Sequence, residues 1–194
     1  MQVLVNWLGH HPKLADWEPR TIHAEVEKGP RDGDCRDCHE REVAVEAPGE
    51  PEAGGPHRRI AASILRYEIF PPQKVCPVLR RHPVEVGDTL GCRYHFMTGL
   101  DIFFAARVID RFDGFEGNIW RTGFTYRTVN GHPELGEETF AAEKCAETGR
   151  VRVVISSWSR PGSLLTRAFY PLARRLQVQA GRSALDHLAR IASL

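Results

Sequence analysis

No long hydrophobic run occurs in these 194 residues. The longest apolar stretches, such as Leu100 to Ile109, are broken by Asp101 and Arg107. They fall short of the roughly 20 residues that span a bilayer. Nor is there an excess of one charge. The 26 Lys and Arg balance the 25 Asp and Glu to a net +1, so no global field favours nucleic acid or an anionic membrane. The opening Met-Gln-Val-Leu-Val-Asn-Trp-Leu has neither the basic segment nor the long apolar segment of a secretory signal, and the expected compartment is the cytoplasm. No GxSxG, HExxH, phosphate-binding loop or GxGxxG after a strand is present, and no internal repeat. Ready-made nucleophile, zinc and nucleotide chemistries are therefore not indicated, and no cofactor is expected.

Cysteine is sparse and odd in number. Cys35, Cys38, Cys76, Cys92 and Cys145 are scattered, which argues for reduced thiols rather than a disulfide framework. The run Cys35-Arg36-Asp37-Cys38-His39 has the spacing of c-type haem attachment, but that chemistry needs export. It also has the spacing of half a zinc knuckle, for which His10, His11, His39 or His57 would have to complete the set, because no second CxxC exists. Without a helix N-terminus to activate it, a redox role is weaker still. The reading is a plain loop with no metal site.

What is present is periodicity. Residues 1–56 form an N-terminal extension that carries Trp7, Leu8, Leu14 and Trp17. It ends in a Gly-, Pro- and charge-rich loop over 28–56. Residues 57–194 form the main domain. Pro56 suits a first helical turn, and Ile60, Ala61, Ile64 and Leu65 recur at helical spacing before Pro71-Pro72 stops the pattern. Residues 73–81 are either a short helix or an extended link. Five strand signals follow, at 89–97, 102–112, 119–129, 137–145 and 151–158. They are separated by Gly87-Asp88, Thr98-Gly99, Asp113-Gly114, Asn130-Gly131 and Thr148-Gly149, the turn chemistry of an antiparallel meander. From Pro171 onward, Leu172, Leu176, Ala180, Ala184, Leu188 and Ile191 make one helical stripe that would lie on the sheet, with Arg174, Arg175, Arg182 and Arg190 mostly off it on a solvated face.

Three motifs add a resemblance. Tyr67-Glu68-Ile69-Phe70-Pro71-Pro72, the run from Gly131 to Phe140, and Ser157-Trp158-Ser159-Arg160-Pro161, together with Arg174-Arg175-Leu176-Gln177, resemble a family known as a domain of unknown function, number nineteen-ninety. The resemblance covers about residues 57–192. With the order of elements, it implies an α+β helix-grip fold like that of the START-like and birch-pollen-allergen superfamily. In that fold an antiparallel meander wraps around a long C-terminal helix and leaves a cavity between them.

The candidate site follows from that arrangement. Tyr94, Phe96, Phe124 and Tyr126 share strand faces and would either line a pocket or fill the core. Glu138 has the parity of Phe140 and would face inward, where a carboxylate needs a partner. Arg160 ends the next strand and is the expected partner of Glu137 or Glu138, as a structural ion pair or as part of ligand recognition. The function expected is binding of a small apolar molecule between sheet and helix. The alternatives are an enzyme with Glu138 as acid or base and Tyr126 or Arg160 stabilising charge, or an interaction protein whose aromatics are only core. The sequence does not fix an oligomeric state.

Overall fold

The computed structural model describes residues 1–194, except for the side chain of Leu165. The strands are β1 (Gln2–Val5), β2 (Cys35–Val45), β3 (Val75–Val78), β4 (Thr89–Met97), β5 (Leu100–Glu116), β6 (Ile119–Thr128), β7 (Glu134–Cys145) and β8 (Arg150–Pro161). The helices are α1 (Ala24–Glu27), α2 (Pro56–Leu65), α3 (Leu164–Ala168) and α4 (Tyr170–Ala192). All strands join one antiparallel sheet in the order β2-β8-β7-β6-β5-β4-β3, with β1 added on β5. The consecutive strands β4 to β8 are the expected meander. Register shifts at His95/Met97, Val108/Asp110 and Glu42/Ala44 are bulges, and bulges bend strands and increase twist, which curls the sheet around its helices.

Two expectations need correction. The Gly- and Pro-rich segment 28–56 is not simply a loop, because its middle forms β2, an 11-residue strand paired with β8 from Cys35↔Ser159 to Val45↔Arg150. Its charged residues disguise an edge strand, where one face meets solvent and lysine, arginine and glutamate are tolerated. Within residues 73–81, expected as a short helix or an extended link, the helix is excluded, and the extended Val75–Val78 pair with β4 as the short edge strand β3.

The concave face holds the main core. Ile60 and Ile64 of α2, Leu188 and Ala184 of α4, and Phe124, Phe140, Val153 and Ile155 of the sheet pack together there. The convex face is covered by the N-terminal segment, in which Leu4, Leu14 and Trp17 pack on Phe103 and Val26 packs on Leu135 and Trp158. Helix α2 starts where Glu46 accepts the backbone N–H of His57 at 2.8 Å and receives Lys144 Nζ at 2.9 Å, both side chains being fully enclosed. It ends at Tyr67, whose φ of 58° puts a bulky residue in the left-handed region. The Tyr67 N–H bonds to the carbonyl of Ile64 and the Glu68 N–H to that of Ser63, a C-terminal motif that usually uses glycine. An aromatic side chain there costs about 1–2 kcal/mol of backbone strain. In return the ring is aimed at Phe124, Tyr126 and Phe140, with centroids 6.2 to 6.4 Å away.

Helix α4 has the expected stripe in the expected phase, but the stripe does two things. Its buried residues are Gly181, Ala184, Leu188 and Ala192, all in the C-terminal half. At Gly181 the helix lies close to β2, and an added Cβ would sit 2.8 Å from the His39 ring. The arginines divide in a similar way. Arg175, Arg182 and Arg190 are exposed, whereas Arg174 reaches back to Asp37 of β2.

Candidate functional site

Where α4 stands off from the sheet, a cavity of about 520 Å³ opens between them. Leu172, Leu176 and Ala180 form its roof, and Tyr67 and Phe70 close the end nearest the main core. One side is apolar, built from Cys92, Tyr94 and Phe96 of β4 and Ile102 and Phe104 of β5. These residues share a face because Cys92 pairs with Phe104 and Tyr94 with Ile102 across the ladder. Phe169, at 58% exposure, and Leu172, at 49%, leave apolar surface at the mouth.

The opposite side is polar. Asp37 of β2, Tyr126 of β6, Glu134 and Glu138 of β7, and Ser157 and Ser159 of β8 line it. The Tyr126 hydroxyl donates to Glu138 Oε2 in a short hydrogen bond, and these two residues are direct cross-strand partners. From α4, the Gln177 amide donates to Glu134, and Arg174 Nη1 meets Asp37 Oδ2 at 2.5 Å. The helix is thus tied to the sheet by polar contacts across the gap rather than by apolar packing.

Burial governs the electrostatics. It pushes the Glu138 carboxyl up to about 7, an effect that the Tyr126 hydroxyl opposes and the charge of Asp37 reinforces. Glu134 is also pushed to about 7, first by burial and then by the Glu138 charge. Both side chains keep some accessible surface, but that surface faces the cavity, so protein still surrounds them. Burial also holds the Tyr67 and Tyr126 phenols and the Cys92 thiol in their neutral forms. His132, at the cavity wall, is pulled down to about 3 by burial. Its Nδ1 accepts the Glu134 N–H at 3.0 Å and its ring stands edge-on to Phe104 at 4.7 Å, an arrangement that fits a neutral imidazole. Two carboxyls that change charge near neutrality on one wall can hold a ligand proton, donate one, or share one between them.

The structure sorts the six residues expected at the site. Tyr94, Phe96, Tyr126 and Glu138 line the cavity. Phe124 does not, because it is fully buried in the main core under α2. Arg160 does not either, and the expected ion pair with Glu137 or Glu138 is absent. Register decides this: Arg160 lies opposite Leu135, Glu137 opposite Trp158 and Glu138 opposite Ser157. Arg160 therefore shares the convex face with Glu137, two rungs away, and points oppositely to Glu138. It binds Asp34 Oδ2 at 2.5 Å and the Glu25 carbonyl at 2.6 Å, while Glu137 takes Arg127 at 2.7 Å. Cys35 and Cys38, three apart on a strand, face opposite sides and cannot chelate one ion together. Sequence reasoning missed Glu134, Asp37 and Gln177. Glu134 has the parity of Glu138 and was legible by that rule, but Asp37 needed β2 to be recognised as a strand.

A curved antiparallel sheet gripping a long C-terminal helix defines the helix-grip class of α+β proteins. Within that class the sequence matches the family described as "Domain of unknown function (DUF1990)" over residues 19–187, and the chain belongs to that family. The match includes β2 and α1 as well as the meander. A UPF0548 protein of Dictyostelium discoideum is 28% identical over 128 residues, which are 62% of this chain and 58% of that protein, so the alignment spans less than two thirds of that relative. Among solved structures, the hypothetical protein jhp0584 of Helicobacter pylori aligns with a TM-score of 0.55 at 9% identity, covering 89% of this chain and 96% of that one. The ginseng major latex-like protein 151 of Panax ginseng aligns with a TM-score of 0.42 at 11% identity, over 76% and 97% of the two chains. No helix among the described residues is long and apolar enough to cross a membrane.

Proposed function

We propose that the protein binds a small, largely apolar molecule bearing at least one polar group, in the cavity between the sheet and the N-terminal half of α4. One observation carries this reading. The aromatic face of β4 and β5 continues beneath α4, yet no residue between Tyr170 and Ala180 is buried against it. A volume of about 520 Å³ falls within the roughly 300–1,000 Å³ of small-molecule sites, and apolar walls with a few convergent polar groups are their usual composition. The apolar side offers burial worth about 25 cal/mol per Å² of ligand surface, and the Glu134–Glu138 side fixes orientation. Native mass spectrometry of the protein purified from its own cells tests the proposal. A retained molecule, lost from a variant in which Ala180→Trp fills the roof, is the expected result. Failure of both retained ligand and added apolar fluorophores to bind would overturn it.

A catalytic reading of the same cavity is favoured by the pair of carboxyls poised near 7. Glu138 would act as acid or base with the Tyr126 hydroxyl stabilising developing charge. Arg160 drops out of this scheme, since it faces the other side of the sheet.

A further inference from the structure

On the convex face, away from the cavity, β3, β4 and β5 bring a second group of residues together. Cys76 Sγ lies 3.5 Å from His95 Nε2, and His95 Nδ1 lies 2.8 Å from Asp101 Oδ1. Asp101 is 1% exposed, His95 33%, and the Cys76 side chain is partly exposed. Burial works against ionisation of Asp101, but hydrogen bonds from His95, Arg93 and Asn6 outweigh it and hold the carboxyl below its ordinary range. An ionised Asp101 accepts only, so the His95 proton sits on Nδ1 and leaves the Nε2 lone pair facing the thiol. This is the arrangement of a nucleophile, a base and a group that orients the base. Arg93 completes it. It is the direct cross-strand partner of Cys76, and it is anchored by Nε to Asp101 Oδ2 at 2.6 Å.

We propose that Cys76, His95 and Asp101, with Arg93 positioning Asp101, form a nucleophilic thiol centre that accepts an acyl group from an activated ester or thioester. Neither the cavity nor its ligand enters this inference. The Cys76 thiol donates at rest to the Pro72 carbonyl at 3.2 Å and is within reach of His95. In the reaction the sulfur lone pair forms a bond to the acyl carbon as the S–H proton passes to His95 Nε2. The carbonyl π pair moves onto oxygen to give the tetrahedral intermediate. Collapse restores the carbonyl and breaks the bond to the leaving alkoxide or thiolate, which takes the proton from His95. The product is S-acylated Cys76, with no net oxidation.

The test uses p-nitrophenyl acetate on the full chain, with peptide mass mapping of each cysteine over time. Cys38 is exposed and serves as the internal reference. Cys76 is expected to acetylate at least about 10-fold faster than Cys38, and His95→Gln is expected to remove that advantage, since a positioned base contributes about 10²-fold or more. His95 is partly exposed, so its replacement is expected to leave the melting curve near wild type. Should it not, Asp101→Asn supplies the second variant, expected to slow Cys76 and leave Cys38 unchanged. Equal rates at Cys76 and Cys38, or a Cys76 rate unaffected by a folded His95 or Asp101 variant, would overturn the proposal.

Discussion

The two ends of the concave face are built from the same strands and the same kind of residue, yet one is solid and the other hollow. Under α2, Phe124 and Phe140 are fully buried with ring centroids 5.6 Å apart, and Leu188 and Ala184 of α4 close over the core. Under the N-terminal half of α4, Tyr94, Phe96 and Phe104 line open space. An aromatic stripe therefore does not by itself make a pocket. Coverage does, and the difference lies in the helices, since α2 approaches only one end, while α4 reaches the other through the polar contacts of Arg174 and Gln177 rather than through apolar packing.

Three substitutions would break or sharpen this contrast. The largest effect is expected from Phe124→Ala, which leaves a void among close-packed rings and costs about 3–5 kcal/mol in urea denaturation. Apolar-probe affinity of the folded fraction should stay the same, and a cost below about 1 kcal/mol would mean that this end is not packed as described.

Glu138→Gln should act through pH. Because the folded-state carboxyl titrates at about 7, above the ordinary value of 4.5, its protonated form is favoured by folding. Stability from this group is full below pH 4.5 and declines as pH rises through 7. The variant should match wild type at pH 4 and exceed it by on the order of 2–3 kcal/mol at pH 8 in paired melting curves. A difference that is constant with pH would remove the raised carboxyl from the account. His132 contributes the opposite slope, because its ring is held down at about 3 and the stability of its neutral burial is lost as pH falls from 6.5.

The smallest expected change in stability is that of Leu176→Ala, at most about 1 kcal/mol, because this roof residue faces the cavity and not a packed core. Its probe affinity should nevertheless fall about fivefold in fluorescence titration. A stability loss comparable to that of Phe124→Ala would show that the hollow end is closed in solution.

Much of this architecture was legible in the chain. Alternation and glycine-bearing turns gave the meander from Thr89 to Pro161 within a few residues of each strand end, and the spacing of Leu172 to Ile191 gave the phase of α4. Strand parity gave the inward direction of Glu138 and Tyr126. The same rule, applied to register rather than parity, would have kept Arg160 apart from Glu138, but the pairing of β7 with β8 depends on a loop whose length does not announce it. β2 was hidden because an edge strand with alternating arginine and glutamate has the composition of a loop. Which aromatics fill and which line was not legible at all, since that depends on the distance between a helix and a sheet.

The change from lining to filling falls at Gly181. A glycine in the middle of a 23-residue helix gives up about 1 kcal/mol of helix propensity relative to alanine. Here an added Cβ would meet the His39 ring at 2.8 Å, and Gly181 is the first buried residue of the helix, followed by Ala184, Leu188 and Ala192. Gly181→Ala would strengthen the helix while pressing a methyl against the His39 ring, which would have to shift. Gly181 thus marks the line along α4 where a side of the helix that borders open space becomes one that closes a core.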